Sequence, residues 1–433
     1  MKENDLTDYV WSNATKYTAS ETSEANSFSQ KDNFIIKGDN LPVLSVLKYQ
    51  FANKVKMIYI DPPYNSASAA LKYEDKRSKD AWLSFMKERL LAAWELLSED
   101  GVLLIQISFH EYPYLRVLAD ELFTSKNHVF DMNLLVRHPE RLLTADKPFN
   151  DVIEFTLIYS KNSTYRMPRK KVPKTVDKYQ YEIKTTGLPA DVQKLGNKTV
   201  EIYLPDQVQI IRNNEGQANL LHRETIRGSI REKNSSGRFY VAHLEKLRKK
   251  FPPLTFIKVP NIGDDGIGHR WFELPKQHLK NGAYYQGMPQ SSSYTEKPYP
   301  NFMDFKNHYN TVNHEGGVNF RNGKKPEALL KFYVELFTNE GDIVLDFFMG
   351  SGTTQAVAMK LKRQFLGVEQ MDYITTHTIP RLINVINADP TGISKDINWQ
   401  GGGSFVFAEL MEAKANEMDQ TFNTSYFKSE NHL

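Results

Sequence analysis

Residues 342–370, DIVLDFFMGSGTTQAVAMKLKRQFLGVEQ, contain an apolar strand, a glycine turn, a helix and a second apolar strand. The first strand ends at Asp346, the turn occupies residues 350–352, a helix is predicted from Thr353, and the second strand ends at Glu369. Glycines in such a turn let the backbone approach a ligand closely, and an acid after the second strand can accept from ribose hydroxyls. The order predicts a βαβ unit that binds a nucleotide.

Two common nucleotide-binding loops do not fit this turn. A phosphate-binding loop has lysine before its Ser or Thr, and no lysine precedes Thr353 and Thr354. The dinucleotide fingerprint requires glycine where this chain has Gln355. The predicted ligand is therefore a nucleoside without a pyrophosphate, and S-adenosylmethionine is the candidate.

A second stretch, MIYIDPPYN at residues 57–65, ends a predicted strand in an unusual way. Neither proline can donate a ladder hydrogen bond, so strand pairing must stop at Asp61. A carboxylate, free carbonyls and the Tyr64 ring are then fixed together at a strand's carboxyl end, where open α/β sheets bind ligands. Taken alone, Asp61 could also be a turn-capping acid and Tyr64 an aromatic at the edge of the core.

The alternation of strands and helices predicts an α/β fold with a mostly parallel sheet and helices on both faces. The middle of the chain is instead basic, proline-broken and irregular, with short strand-like pieces such as VEIYL and GRFYVAHL. The predicted divisions are a polar N-terminal arm (1–30), an α/β domain in two parts (31–162 and 321–410), an inserted domain (163–320) and a C-terminal tail (411–433).

Composition limits the chemistry that this chain can perform. Its 433 residues are 40% hydrophobic and 25% charged, as in globular proteins, and contain no cysteine. Disulfides, thiolate nucleophiles and cysteine-ligated zinc are thereby excluded. The 11 histidines show no metal-ligand spacing, so no metal is expected. No apolar run reaches the roughly 20 residues that cross a bilayer, and no signal peptide is evident, so a cytoplasmic location is expected.

DPPY followed later by DFFMGSGTT resembles the paired signature motifs of amino-methyltransferases that act on DNA bases, in the order of their beta class. The strings GDNLPVL, WLSFMKERL, NEGDIVLDFFMGSGTT and GGGSFVFAEL are similar to those of Mod subunits of type III restriction-modification systems. The resemblance implies a Rossmann-like S-adenosylmethionine-dependent methyltransferase sheet, a circularly permuted motif order and a target recognition domain at 163–320. A solitary methyltransferase stays open, because Ser66 to Ser68 depart from the usual DPPYNTG and the chain is shorter than a typical Mod subunit.

The resemblance also implies roles for individual residues. The Asp61 carboxylate and the Pro62 carbonyl would accept from the exocyclic amine of an adenine flipped out of the duplex, and Tyr64 would stack on that base. The expected catalytic residues are Asp61, Pro62, Pro63 and Tyr64. The expected cofactor-binding residues are Asp39, Lys325, Pro326, Asp346, Phe348, Gly350, Gly352, Thr353, Thr354 and Glu369.

The expected function is site-specific methylation of adenine N6 in double-stranded DNA, in restriction-modification or a related phage defence. Methylation of cytosine N4 and a DNA-recognition subunit without its own activity remain open. Expected partners are DNA, a second copy in a homodimer and a restriction nuclease or helicase subunit. The net charge of +3 is too small to indicate DNA binding, but Arg169, Lys170 and Lys171 in RMPRKKVPK are candidates for phosphate contact or, alternatively, solvated surface.

Overall fold

The computed structural model describes residues 9–19, 21–24, 29–65, 77–141, 149–320 and 323–412. The chain divides into two compact units, one running up to Pro168 and on from Pro300, the other spanning Arg169–Tyr299. The second unit is shorter at both ends than the predicted inserted domain. Residues on either side of it, such as Tyr165 and Phe305, pack into the core of the first unit.

The strands of the described residues are β1 (Tyr9–Tyr17), β2 (Thr22–Glu24), β3 (Phe34–Lys37), β4 (Val55–Ile60), β5 (Leu97–Ile107), β6 (His128–Leu135), β7 (Ile153–Ser160), β8 (Lys170–Pro173), β9 (Tyr181–Thr185), β10 (Asp191–Leu195), β11 (Lys198–Tyr203), β12 (Val208–Arg212), β13 (His222–Thr225), β14 (Phe256–Pro260), β15 (His269–Glu273), β16 (Ala283–Gln286), β17 (Tyr294–Lys297), β18 (Phe302–Asp304), β19 (Ile343–Asp346), β20 (Gln364–Glu369) and β21 (Phe405–Glu412).

The α-helices in the same ranges are α1 (Asn40–Phe51), α2 (Lys79–Leu96), α3 (Tyr112–Phe123), α4 (Ser229–Lys233), α5 (Ser235–Phe239), α6 (Lys306–Thr311), α7 (Glu327–Phe337), α8 (Thr353–Lys360) and α9 (Ile379–Ile386). Within the described ranges, no helix combines the length and apolar character that crossing a bilayer requires.

In the first unit, the described strands form one sheet in the order β18-β6-β7-β5-β4-β19-β20-β3-β21-β1-β2. Every neighbouring pair from β5 to β21 in this order is parallel, as are β18 and β6, whereas β7, β1 and β2 pair antiparallel. Helices α1, α2 and α3 contribute to one hydrophobic core and α7, α8 and α9 to another. The predicted α/β architecture with a mostly parallel sheet is confirmed.

The centre of this sheet joins two distant parts of the sequence. Strand β19 lies between β4 and β20, with Val344 opposite Met57 and Leu345 opposite Leu366. Because the three strands are parallel, their carboxyl ends meet at one edge. Asp61, Asp346 and Glu369 therefore lie at the same edge although they come from separate segments.

The structure also differs from the sequence predictions in two secondary-structure elements. Residues 9–17 and 22–24 of the expected polar arm form strands, because β1 pairs with β21 and the Tyr17 ring stacks on Phe405 at 4.9 Å. GRFYVAHL, expected to be strand-like, is helical: α5 leads into a π-helical turn at Tyr240–Leu244. Tyr240, Leu244 and Leu247 are all buried, so their three- and four-residue spacing is helical.

The second unit is mostly antiparallel β structure. Its main sheet has the order β10-β11-β14-β15-β16-β13, and two further strand pairs, β9 with β12 and β8 with β17, complete the described strands. VEIYL lies largely in β11, as expected for a strand. A core of its own, which includes Val200, Ile257 and Phe272, shows that this unit buries apolar side chains independently of the first.

Candidate active site

A cavity of about 330 Å³ lies in the first unit at the carboxyl ends of the central strands. Many of the residues predicted to bind cofactor or substrate line it: Asp61, Pro63, Lys325, Asp346, Phe348, Gly350, Thr353, Thr354 and Glu369. The others, Asp39, Pro62, Tyr64, Pro326 and Gly352, adjoin lining residues in sequence but are not among the described lining residues. The structure thus brings the two motif segments, residues 57–65 and 342–370, together at one cavity.

The turn after β19 is held by the two predicted acids. Asp346 accepts hydrogen bonds from the Phe348 amide at 3.0 Å and from the Thr354 hydroxyl at 2.6 Å. Glu369 accepts from the Gly350 amide at 3.0 Å and also from backbone and side-chain donors at residues 370–373. Both carboxylates therefore shape the turn, in addition to any contact with a ligand.

Gly350 and Gly352 have φ values of +53° and +75°, which residues with a side chain rarely adopt. A Cβ on Gly352 would also lie 2.8 Å from Thr378 Cγ2. Helix α8 begins directly after Gly352, so the turn brings backbone and helix start to the cavity wall. The requirement for glycine here is the physical reason for the GSG sequence.

Part of the cavity wall is aromatic. Phe85, Phe320, Phe348 and Tyr373 line it, with the rings of Phe85 and Phe348 6.0 Å apart and those of Phe320 and Tyr373 5.0 Å apart. Flat apolar surfaces of this kind favour stacking of a planar base. Of these four residues, sequence reasoning identified only Phe348, because the others lie outside the glycine motif.

Asp61, Tyr64 and Lys325 form a charged group beside the aromatic wall. The Lys325 ammonium lies 3.0 Å from Asp61 Oδ2 and donates to the Tyr64 hydroxyl at 2.9 Å. Asp61 Oδ1 is buried and has no hydrogen-bond partner among the described residues. One oxygen of this carboxylate is therefore paired, and the other is an unused acceptor.

Glu154, near the start of β7, completes this group and was not identified from the sequence. Its Oε2 accepts from the Tyr64 hydroxyl at 2.9 Å and from Gln106 Nε2 at 2.6 Å, and lies 3.3 Å from Lys325 Nζ. Tyr309 contributes a contact to Gln106 at 3.3 Å. No local motif marks these residues, because each is an isolated polar position in an apolar strand or a short helix.

The electrostatic balance of the group is shifted by burial. Burial raises the pKa of Asp61 to about 6. Lys325 lowers this pKa, whereas the negative charge of Glu154 raises it further. Burial also opposes ionisation of Glu154, but Lys325 and the bond from Gln106 outweigh it, so the pKa of Glu154 is lowered. Lys325 stays protonated, because the two carboxylates raise its pKa despite burial.

The Asp39 side chain has two partners within the protein. Its side chain caps α1 by accepting from the Leu41 amide at 2.9 Å, and it forms an ion pair with Arg89 at 3.0 Å. The next residue, Asn40, lines the cavity and accepts from Arg89 Nε at 2.5 Å. The predicted turn contributes Gly38 and Asn40 to the described lining, and cofactor binding by Asp39 stays a prediction.

A network of buried charged side chains contacts the start of the helix that follows the glycine turn. Arg381 donates to the Thr353 hydroxyl at 2.6 Å and pairs with Glu327 at 2.9 Å. Glu327 also pairs with Lys360 at 2.8 Å, and all three charged side chains are fully buried. Since a buried charge without its partner is strongly destabilising, this network fixes the position of α8 relative to α7 and α9.

The predicted DNA-contacting residues lie in the second unit. Arg169, Lys170 and Lys171 are exposed at its start, the latter two in β8. Lys170 is paired across the ladder with Lys297 of β17, which the sequence analysis had not selected. Lys171 lies opposite Glu296 in the same ladder, with its ammonium 5.0 Å from the centre of the Tyr294 ring.

The cavity has the features that a nucleoside-containing cofactor requires. Its volume is at the lower end of the range of small-molecule sites. Aromatic rings and a close-approach glycine turn are present together. The residues present therefore fit S-adenosylmethionine.

A mostly parallel sheet with such a cavity at its carboxyl edge and a DPPY segment beside it defines the Rossmann-like methyltransferase class. The chain belongs to the DNA methylase family, whose profile matches residues 55–379. The family identified from DPPY and DFFMGSGTT is thereby confirmed.

Similar proteins include Mod subunits of type III restriction-modification enzymes. The HindVI Mod subunit of Haemophilus influenzae is 33% identical over 88% of this chain and 54% of its own length. The EcoPI Mod subunit of Escherichia phage P1 is 27% identical over 77% of this chain and 56% of its own length. The chain thus spans about half of each of these relatives.

Solved structures to which the chain is similar include the cytosine-N4-specific PvuII DNA methyltransferase, at 12% identity and a TM-score of 0.41, covering 84% of this chain and 90% of that one. The M1.HpyAVI complex with SAM gives 15% identity and a TM-score of 0.37, covering 80% and 98%.

The buried Asp346 predicts how stability depends on pH. Burial raises its pKa from 3.8 to about 7, so the folded state binds this proton more tightly than the unfolded chain between these values. The free energy of unfolding should therefore fall as pH rises through that window. In Asp346→Asn the group cannot titrate, and the melting temperature without cofactor should change less between pH 5 and pH 8.

The matched control is Asp372→Asn, since Asp372 is an exposed acid whose pKa is lowered by Lys37. Losing it should not flatten the pH dependence. Equal slopes in the wild type and Asp346→Asn would contradict the proposed burial effect.

Proposed function

We propose that this chain transfers the methyl group of S-adenosylmethionine to the N6 amine of an adenine in double-stranded DNA. The observation that carries the proposal is the free, buried Oδ1 of Asp61, at the end of β4 in a cavity suited to a nucleoside. Membership of the DNA methylase family supports it. The biological setting proposed is restriction-modification or a related phage defence, which the names of the Mod relatives support. The proposed location is the cytoplasm.

The exocyclic amine of adenine is a poor nucleophile because its lone pair is delocalised into the ring. Acceptors on its two hydrogens would favour a pyramidal nitrogen with a localised lone pair. Asp61 Oδ1 is available as one acceptor, and the carbonyl of Pro62 is the proposed second. The carbonyl of Pro63 is less suitable, since it already accepts from Trp82 Nε1 at 2.8 Å.

The bound cofactor would supply an electrophilic methyl group. As the nitrogen–carbon bond forms and the carbon–sulfur bond breaks, the nitrogen gains positive charge and must lose a proton. Asp61 Oδ1 would accept that proton and later release it to solvent. A pKa of about 6 suits this task, because the carboxylate is ionised at neutral pH yet basic enough to take up a proton.

The aromatic wall and the glycine turn would hold the nucleoside part of the cofactor. Phe348 and Phe85 offer faces for the cofactor's adenine, and the turn at Gly350 allows close approach of the backbone. Glu369 would bind the ribose only through an oxygen that already accepts hydrogen bonds, such as Oε2, which accepts from the Gly350 amide and the Tyr373 hydroxyl. We therefore assign it a double role, in shaping the turn and in binding.

Cytosine N4 is the alternative target, because its amine would use the same acceptors. Asp61 before Pro-Pro-Tyr favours adenine by the family resemblance. Single-molecule sequencing of DNA from cells that express the protein tests the proposal directly, since it reports the modified base and its sequence context together. Absence of any new modification, with the purified protein also inactive on DNA, would contradict the proposal and favour the inactive recognition subunit.

The second unit is the proposed target recognition domain. Base-edge contacts must supply sequence specificity, whereas phosphate contacts only position the protein. Homodimer formation and a restriction subunit as partner stay predictions. Sedimentation of the purified protein measures the first, and co-purification with a nuclease or helicase subunit measures the second.

Asp61→Ala should abolish methyl transfer while leaving cofactor binding nearly intact. Losing the acceptor and base should reduce turnover by about 10²- to 10⁴-fold. Transfer of labelled methyl groups to DNA measures the rate, and calorimetry with S-adenosylmethionine measures the affinity. Turnover close to that of the wild type would contradict the role of Asp61.

Glu369→Ala should weaken cofactor binding at least tenfold. A hydrogen bond to a charged group contributes about 1.5–3 kcal/mol, and about 1.4 kcal/mol corresponds to tenfold in affinity. The control is Asp372→Asn, which changes an exposed acid three residues away. Unchanged affinity in Glu369→Ala would move the cofactor away from this cavity wall.

Replacing Arg169, Lys170 and Lys171 together by glutamine should weaken binding to all duplexes to a similar degree. The slope of log affinity against log salt should become shallower by about 0.9 for each DNA phosphate that the variant no longer neutralises. The matched control replaces Lys246, Lys249 and Lys250, which are exposed lysines of the same unit. An equal effect of both triple changes would indicate a general charge effect instead of a DNA-binding surface at residues 169–171.

A further inference from the structure

Glu154 is a buried carboxylate that contacts three polar side chains of the candidate site. Its side chain is only 6% exposed, and its Oε2 contacts Gln106, Tyr64 and Lys325. Strand β7 is antiparallel to β5, with Phe155 opposite Ile107, so its first residues lie at the edge where β4 and β5 end. The sheet therefore places Glu154 beside Asp61 although the two are far apart in sequence.

Asp61 and Glu154 share one ammonium group. Lys325 Nζ lies 3.0 Å from Asp61 Oδ2 and 3.3 Å from Glu154 Oε2. The three side chains together carry a net charge of −1 when both acids are ionised. Arg137 is a weak addition, since it is half-exposed and 4.0 Å from Glu154 Oε1.

This sharing limits how far Lys325 can neutralise Asp61. If Glu154 were neutral, Asp61 would be the sole anionic partner of Lys325 within this group, and the ammonium could shift towards it. Glu154 also accepts from the Tyr64 hydroxyl, which Lys325 contacts from the other side. One carboxylate thus fixes the ammonium and the ring that flank Asp61.

We propose that Glu154 is a positioning residue for methyl transfer: by holding Lys325 and Tyr64, it keeps Oδ1 of Asp61 free for the target amine. This inference rests on the proposed methyltransferase function. It assigns Glu154 no contact with the reacting atoms. Its negative charge, and not only its shape, is what the arrangement uses.

The pH dependence of turnover separates an effect of the charge of Glu154 from an effect of its shape. The titratable groups around Asp61 are Lys325, Glu154, Tyr64, Tyr59, Tyr309 and Asp346. Burial raises the pKa of each of the three tyrosines well above its usual value, so they stay neutral between pH 5 and 8. Asp346 titrates in both the wild type and a Glu154 variant, so a difference between them reports on Asp61.

The expected acid limb of turnover in the wild type lies near pH 6, because the ionised form of Asp61 is the acceptor. Glu154 raises the pKa of Asp61, so Glu154→Gln should move this limb to lower pH. Turnover at neutral pH should fall at least tenfold, since Asp61 becomes a weaker base and Lys325 is no longer shared. Affinity for S-adenosylmethionine should stay within twofold.

Glu154→Asp provides the decisive comparison. It retains the charge but is shorter, whereas Glu154→Gln retains the shape but loses the charge. If the charge matters, the aspartate variant should keep the wild-type acid limb and more of the turnover. If Glu154 only fills space, the glutamine variant should be the better enzyme, and the proposal is overturned.

The matched control is Asp131→Asn in β6. Asp131 is also a partly buried carboxylate in a hydrogen-bond network, with Tyr112 and His128, but it does not line the cavity among the described residues. It should lower stability without moving the acid limb. If the wild type is active and Glu154→Gln has the same turnover and the same acid limb, this inference alone is overturned. A wild type that transfers no methyl group to DNA overturns the proposed function, and this inference with it.

Discussion

The parallel pairing of β4 with β19 is the constraint on which the rest of the site depends. It brings residues 55–60 next to residues 343–346, although almost 300 positions separate them in the chain. Parallel strands end at the same edge, so Asp61 and Asp346 must face one cavity. A permuted motif order is compatible with the same site because strand adjacency, and not sequence order, determines which residues meet.

Two buried charge groups secure the cavity from different sides. Arg381, Glu327 and Lys360 fix the helix that follows the glycine turn, and Asp389, 3.5 Å from Lys360, balances the remaining positive charge. Lys325 is instead shared between Asp61 and Glu154, which leaves an excess negative charge at the edge of the cavity. The first group suits a structural support, and the second suits the proposed site, which would receive a cation and a proton.

The second compact unit has its own cores and its own antiparallel sheets, which is consistent with a separate task. The described residues that line the cavity all belong to the first unit. Its basic start, at Arg169 to Lys171, is a surface feature and contributes little to the core.

The sequence by itself determined the features whose cause is local. The turn conformation requires glycine at Gly350 and Gly352, and two prolines end β4. The alternation of apolar strand and helix segments predicts the parallel α/β sheet. The tertiary structure alone decided the polar network around Asp61 and Lys325, because Glu154 and Gln106 lie on other strands and Tyr309 on a short helix without any motif. It also placed residues 9–17 in the sheet and turned GRFYVAHL into a helix, since both depend on distant apolar surfaces to pack against. Local patterns record what the backbone of one segment can do, whereas the charges that a buried side chain meets depend on which segments the sheet brings side by side.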